Sequence, residues 1–260
     1  MVVVGVPDGP YPVQIHPPSN FGTQLAFARR ASSDAHFFAK CVKAKDNKLL
    51  RELIDGRPNR YPRVEGMDEL ARDYSACYPG FDPFYAWKGK RYGECDPRGE
   101  FDPILEKKHG QSNVVGARTE RVICQAFYNR GALVEKVLSE YAPDLSFTSE
   151  QLFSPAVLKR FHEREDWFNT TRTKQERVYS EVVSCLIAIH PQWALASLKT
   201  TPNSDAEAKL RAAMIGTTPE CVGGAKQVEV DPFQFRVYLV DEIYSWAVAL
   251  RGTDSLIPLD

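Results

Sequence analysis

The stretch CLIAIHPQWALASLKTTPNSDAEAKLRAAMIGTTPEC, Cys185 to Cys221, has a counterpart earlier in the chain: CVKAKDNKLLRELIDGRPNRYPRVEGMDELARDYSAC, Cys41 to Cys77. Both read Cys-x16-Pro-Asn-x17-Cys. Cys185, Pro202, Asn203 and Cys221 stand at a constant shift of 144 positions (185 against 41) from Cys41, Pro58, Asn59 and Cys77. An internal duplication is the simplest origin of four matches at one shift.

Inside the first copy the apolar spacing is helical. Asp34 caps a helix from about Ser33 that places Phe37, Phe38, Cys41 and Val42 on one face. A second helix from about Asp46 carries Leu49, Leu50, Leu53 and Ile54 and stops at Gly56. The Pro58-Asn59 pair and Pro62 fill a loop, and Met67, Leu70, Tyr74 and Cys77 trace a third helix ended by Tyr78-Pro79-Gly80. The second copy repeats the order. Val178, Val182, Cys185 and Leu186 give the first face, and Trp193, Leu195 and Leu198 the second. Ser204 with Glu207 opens the third helix, which leads through Leu210 and Met214 to Cys221. Gly80 and Gly224 each follow the closing cysteine by three.

A closing helix is expected after each copy, led by Arg121-Val122 and by Arg236-Val237. Arg121 follows Cys77 by 44 positions and Arg236 follows Cys221 by 15, so the first copy holds about 29 extra residues, roughly 81–111. Between the copies, Leu133 to Leu138 continues as helix, and Ser149 to Trp167 reads as one more, with Leu158, Phe161 and Phe168 inward. Pro7, Pro10, Pro12, Pro17 and Pro18 make the start an extended arm. The expected organisation is an arm at 1–32, a first helical repeat at 33–140, a connecting segment at 141–171 and a second repeat at 172–260. The fold class is all-α, with two pseudo-symmetric helical repeats packed as one bundle-like body and an irregular insertion in the first.

With 33 basic and 34 acidic residues among 260, the net charge is −1, which speaks against a dedicated nucleic-acid binder or a polybasic membrane anchor. The strongest apolar run, Val182 to Ile189, is far short of the ~20 residues that a membrane span needs. Met1 to Val6 is apolar but no basic residue precedes it, so it does not read as a secretory signal; the first is Arg29.

Six cysteines allow fifteen pairings. The duplication favours Cys41 with Cys77 and Cys185 with Cys221, leaving Cys95 with Cys124. Bonded cysteines imply a periplasmic or secreted protein; six buried thiols in a reduced cytosolic core are the competing reading. Zinc sites bring ligands in close pairs, and no such spacing occurs, so neither a metal nor a cofactor is expected. His162-Glu163-Arg164-Glu165-Asp166 sets an imidazole beside carboxylates, the raw material of a small hydrolase acting through His162 with Glu163 or Glu165. Neighbours on a helix do not face each other, and the same run reads equally as a solvated face. His36 and His190 read as packing or capping residues, and Asn169-Thr170-Thr171 is a sequon only in a secreted eukaryotic chain.

The 81–111 insertion interleaves Phe84, Tyr85, Trp87 and Tyr92 with Lys88 and Arg91, between the turn formers Asp82-Pro83, Asp96-Pro97 and Asp102-Pro103. Aromatics beside cations supply contact area at small entropic cost, which suits a surface for another protein; folded inward, the same side chains would form a lid. The helical units, with their Cys, Leu-rich helix, Pro-Asn and Cys and the Arg-led helix from Arg236 to Tyr244, resemble uncharacterised, exported bacterial all-helical proteins. That resemblance implies export and brings no activity with it. The leading expectation is a non-catalytic binding or structural module that meets a protein partner through the insertion and an inter-repeat groove. The alternatives are the His162 hydrolase and a structural subunit of a homo-oligomer.

Overall fold

The structure, a computed structural model, describes residues 11–16, 22–42, 47–60, 63–79 and 125–259. Among the described residues it is mostly helical, with ten α-helices, one 3-10 turn and two three-residue strands. The insertion, with Phe84, Tyr85, Trp87, Lys88, Arg91 and Tyr92, lies outside the described residues, as do Cys95, Cys124 and Arg121. The described residues fall into two units, one drawn from 22–133 and the other from 11–16 and 134–258.

The first unit holds α1 (Gly22–Cys41), α2 (Asn47–Asp55), α3 (Arg63–Asp73), a 3-10 turn (Ser75–Cys77) and the start of α4 (Gln125–Tyr141). Helix α1 begins about three turns before Ser33, so residues 22–32 are helical rather than part of an extended arm. The reason is local: Gln24 to Ala31 is a run of good helix formers with no proline. Its inward face is Ala28, Ala31, Ala35, Phe38, Ala39 and Val42, all buried, a spacing of three and four. Phe37, expected on that face, is 55% exposed, because one helical step turns it about 100° from Phe38. Leu50, Leu53 and Ile54 are buried as their stripe requires, and Met67 and Leu70 are buried on α3. Phe38 stacks on Tyr78 with ring centroids 5.0 Å apart, and Asn129 on α4 donates to the Tyr78 hydroxyl.

The second unit holds β1 (Gln14–His16), the rest of α4, α5 (Ser149–Leu152), α6 (Pro155–Asn169), α7 (Lys174–Ile189), α8 (Pro191–Leu198), α9 (Asp205–Gly216), β2 (Gln227–Glu229) and α10 (Pro232–Arg251). The single helix expected from Ser149 to Trp167 is two. Pro155 lacks an amide hydrogen and takes the first position of a new helix, after a break at Phe153 and Ser154. Helix α10 is the core, with buried residues around its whole circumference from Phe233 to Ala249. Asp231 caps it by accepting from the amides of Phe233 and Gln234, and Gly252, at φ 65°, ends it. It packs against α6 and α7, and Trp246 stacks on Phe161 at 3.7 Å between centroids. The buried face of α7 is Ser180, Val183, Leu186 and Ile187. Val178, expected inward, is 47% exposed, and Val182 is half-buried.

Among the described residues each unit carries one disulfide. Cys41–Cys77 and Cys185–Cys221 each close 36 positions, with Cα atoms 5.6 Å apart in both. Cys77 is reached through the 3-10 turn beyond α3, not on the helix itself. The Pro-Asn loops also behave alike: Asn59 and Asn203 both stand at φ 56°, the left-handed region that asparagine tolerates better than most residues. The two bonds suit an oxidising, extracytoplasmic environment. Among the described residues no single helix is long and apolar enough to cross a membrane; α7 and α8 pass that test together but bend by 107° between them.

Candidate functional site

The chemistry-bearing side chains of the second unit gather in three places: two buried arginine–carboxylate clusters and one open cleft.

The first cluster centres on Arg236 of α10, whose side chain is 4% exposed. Its Nε and Nη2 donate to the two carboxylate oxygens of Glu135 at 2.7 and 3.0 Å, a bidentate pair. Its Nη1 donates to Glu207 Oε1 at 2.8 Å and to the carbonyl of Ser197 at 3.1 Å. Glu207 in turn accepts from the backbone amide of Asn203 through its other oxygen. The chain of contacts therefore runs from α4 through Arg236 to the start of α9 and into the Pro202-Asn203 turn. Burial alone would lower the guanidinium pKa, but Glu135 and Glu207 together outweigh it and raise it. The sequence signal was present in part: Ser204 and Glu207 have the spacing of a capping pair, and Ser204 does accept from the Glu207 amide. Glu207 reaches one residue further back than such a pair would, because Arg236 holds it there.

The second cluster places Arg172 between Glu165 of α6 and Glu242 of α10. One Nη of Arg172 donates to Glu165 and to Asn169 Oδ1, and the other lies 3.3 Å from Glu242 Oε1, which also accepts from the Ser180 hydroxyl. Glu242 is fully buried. Burial first, then the charge of Glu165, holds its carboxyl well above the usual range; Arg172 and Ser180 pull it back, and Asp241 adds a further push upward. The remaining oxygens of both glutamates, Glu165 Oε1 and Glu242 Oε2, are buried without a hydrogen-bond partner. Two buried carboxyls share one guanidinium here, so the charged form of Glu242 is disfavoured.

This arrangement accounts for the sequence candidates in the 162–166 run. Glu165 is drawn inward to Arg172, whereas His162 and Glu163 lie on the exposed face of α6, Glu163 paired with Lys159. The fold therefore does not bring His162 and Glu165 together: positions i and i+3 share a side of a helix, but Arg172 draws Glu165 inward while His162 is left exposed. The His36 Nδ1 meets the Ser32 carbonyl at 2.7 Å within α1, a local helical contact.

The cleft, about 300 Å³, lies where α7 ends and α8 begins, against the start of α5. His190 stacks on Trp193 at 4.2 Å between centroids, and its Nε2 lies 2.8 Å from Thr217 Oγ1. The Thr217 hydroxyl gives its one hydrogen to the carbonyl of Ala213 at 2.7 Å, so the imidazole is the donor in the contact with His190. Burial pulls the His190 pKa below its usual value, against an opposing pull from Glu220. His190 stands at the junction of α7 and α8, where its backbone amide donates to the Leu186 carbonyl, while its ring bonds to Thr217 at the end of α9 rather than capping either helix. Among the described residues no three of His, Cys, Asp and Glu are grouped to hold a metal ion. Comparison with protein-family models, curated proteins and solved structures finds no match.

Proposed function

We propose that this chain is a non-catalytic binding module, made of two copies of one disulfide-closed three-helix unit, that works in the periplasm or outside the cell and meets another protein through its aromatic and basic segment, 81–111. The observation that carries the reading is the pair of bridges, one in each unit, with the same sequence separation and the same Cα span. The helices between the bridged cysteines support a common origin. Helix α2 begins at Asn47 and α8 at Pro191, again 144 positions apart, and α3 and α9 begin within two residues of that shift. The likeness to exported bacterial proteins is in keeping with such a compartment.

Support for binding rather than catalysis comes from how the buried charge is used. Arg172 and Arg236 are engaged with carboxylates on neighbouring helices, and these pairs join elements of the fold. The segment 81–111 offers Phe84, Tyr85, Trp87 and Tyr92 beside Lys88 and Arg91, the mixture found at protein interfaces. The test is a double substitution, Trp87→Ala with Tyr92→Ala, in protein recovered from the native host with thiols blocked on lysis. Retained helical circular dichroism with loss of a co-purifying protein is the expected result. Unchanged recovery of every partner, or complete alkylation of Cys41, Cys77, Cys185 and Cys221 without reduction, would overturn the reading.

A further inference from the structure

Residues 11–16 lie on the second unit as a separate extended piece. Gln14, Ile15 and His16 pair in parallel with Gln227, Val228 and Glu229, and the Gln14 amide donates to the Lys226 carbonyl at 2.8 Å. Val13 is 2% exposed. Tyr11 lies against the end of α9 at Gly216, where a Cβ would stand 2.4 Å from the Tyr11 Cβ and 2.5 Å from its Cγ. Only a residue without a side chain leaves room for the tyrosine there.

These features form a receiving surface: a strand edge that supplies main-chain hydrogen bonds, a buried place for valine and a flat place for an aromatic ring two residues before it. They are the elements of recognition by strand addition. Three register pairs make too little sheet to stand by itself, and no tight turn can join two parallel strands. What keeps the arm in place is therefore its local concentration as a tethered segment, and an identical segment supplied from outside competes for the same contacts. The matching occupant is fixed by the surface itself, because the spacing of Tyr11 and Val13 is what Gly216 and the β2 edge accept.

We propose that the β2 edge and the end of α9 are a strand-acceptor site, and that residues 11–16 of a second copy of this chain dock there in exchange for the chain's own arm, coupling copies in pairs. A two-fold exchange satisfies both acceptor sites. The inference rests on the arm and its surface and is independent of any role for 81–111.

The experiment uses the full chain with a photoreactive benzoylphenylalanine in place of Gln14, whose side chain is exposed and whose register partner is Gln227. Equal amounts of unlabelled and nitrogen-15-labelled protein are mixed and irradiated at concentrations from about 10 µM to about 1 mM, spanning the effective concentrations of short tethers. Cross-links to the peptide containing Lys226 to Glu229 are expected in light–heavy mixed form, in a share that rises with concentration. Cross-links joining only like isotopes at every concentration, or landing away from α9 and β2, would overturn the proposal. In the same background, Gly216→Val and, separately, Tyr11→Gly should each abolish the mixed cross-link. Tyr11→Gly leaves every helix untouched, so an undiminished mixed product in that variant also refutes the assignment, whatever Gly216→Val does to folding.

Discussion

Replacing Arg236 by methionine removes the charge that the buried Glu207 and the half-buried Glu135 face. The side chains of Glu207 and Glu135 are 1% and 19% exposed, so Glu207 loses its counter-ion where water cannot replace it. Breaking a buried pair by deleting one partner costs about 3–5 kcal/mol. For a chain of this size each kcal/mol moves the midpoint of thermal unfolding by about 2–4 °C, so the variant should melt about 6–20 °C lower. Adding Glu207→Gln to Arg236→Met should recover part of the loss, because the stranded charge is gone. The assay is denaturant and thermal unfolding by circular dichroism, with both disulfides intact. A loss under about 1 kcal/mol at neutral pH, or no recovery in the double variant, would show that Arg236 does not carry the charge of this interior.

Three other substitutions probe separate parts of the fold. Glu242→Gln replaces a carboxyl whose charged form burial disfavours by a neutral amide of the same shape, so its cost near pH 5 should be under about 1 kcal/mol. Because the folded pKa of Glu242 is raised, the wild type should lose stability as pH climbs above the ordinary carboxylate range through that raised value, and the variant should lack this slope; pH-dependent denaturant midpoints read both. Asn203→Gly should lie within a few tenths of a kcal/mol of wild type and Asn203→Ala should cost about 1–2 kcal/mol, since alanine tolerates φ 56° poorly; the difference in unfolding midpoint tests the turn. Removing Cys185–Cys221 with a double alanine substitution should cost about 4 kcal/mol for a loop of 36 positions, measured against the oxidised protein by the same unfolding assay.

The disulfides, the two Pro-Asn turns and most of the helices were legible in the residues themselves. Spacing carries that information: cysteines that close the same loop twice need the same separation, and three-to-four periodicity selects a helix face whatever the helix packs against. Leu50, Leu53 and Ile54, or Leu210 and Met214, could be assigned inward from their spacing alone. The helix ends were less legible. Helix α1 starts at Gly22, ahead of the apolar pattern read from Ser33, and Pro155 divides a run whose apolar pattern continues on both sides.

What only the tertiary structure decided is where charge goes. Nothing in the sequence near Glu135 or Glu242 sets them apart from surface glutamates, because their partners lie 101 and 70 positions away, and the capping spacing of Ser204 with Glu207 gives no sign of Arg236, 29 positions on. Glu165 and Glu163 look alike in the chain, yet one is drawn onto Arg172 and the other faces solvent, a choice made by the packing of α6 on α10. Likewise the short pairing of residues 14–16 with 227–229 joins segments more than 200 positions apart, and only Gly216, brought beneath Tyr11 by the fold, makes room for it. Local spacing specifies elements; burial, which is a property of the assembled interior, specifies which of their charged groups become structure.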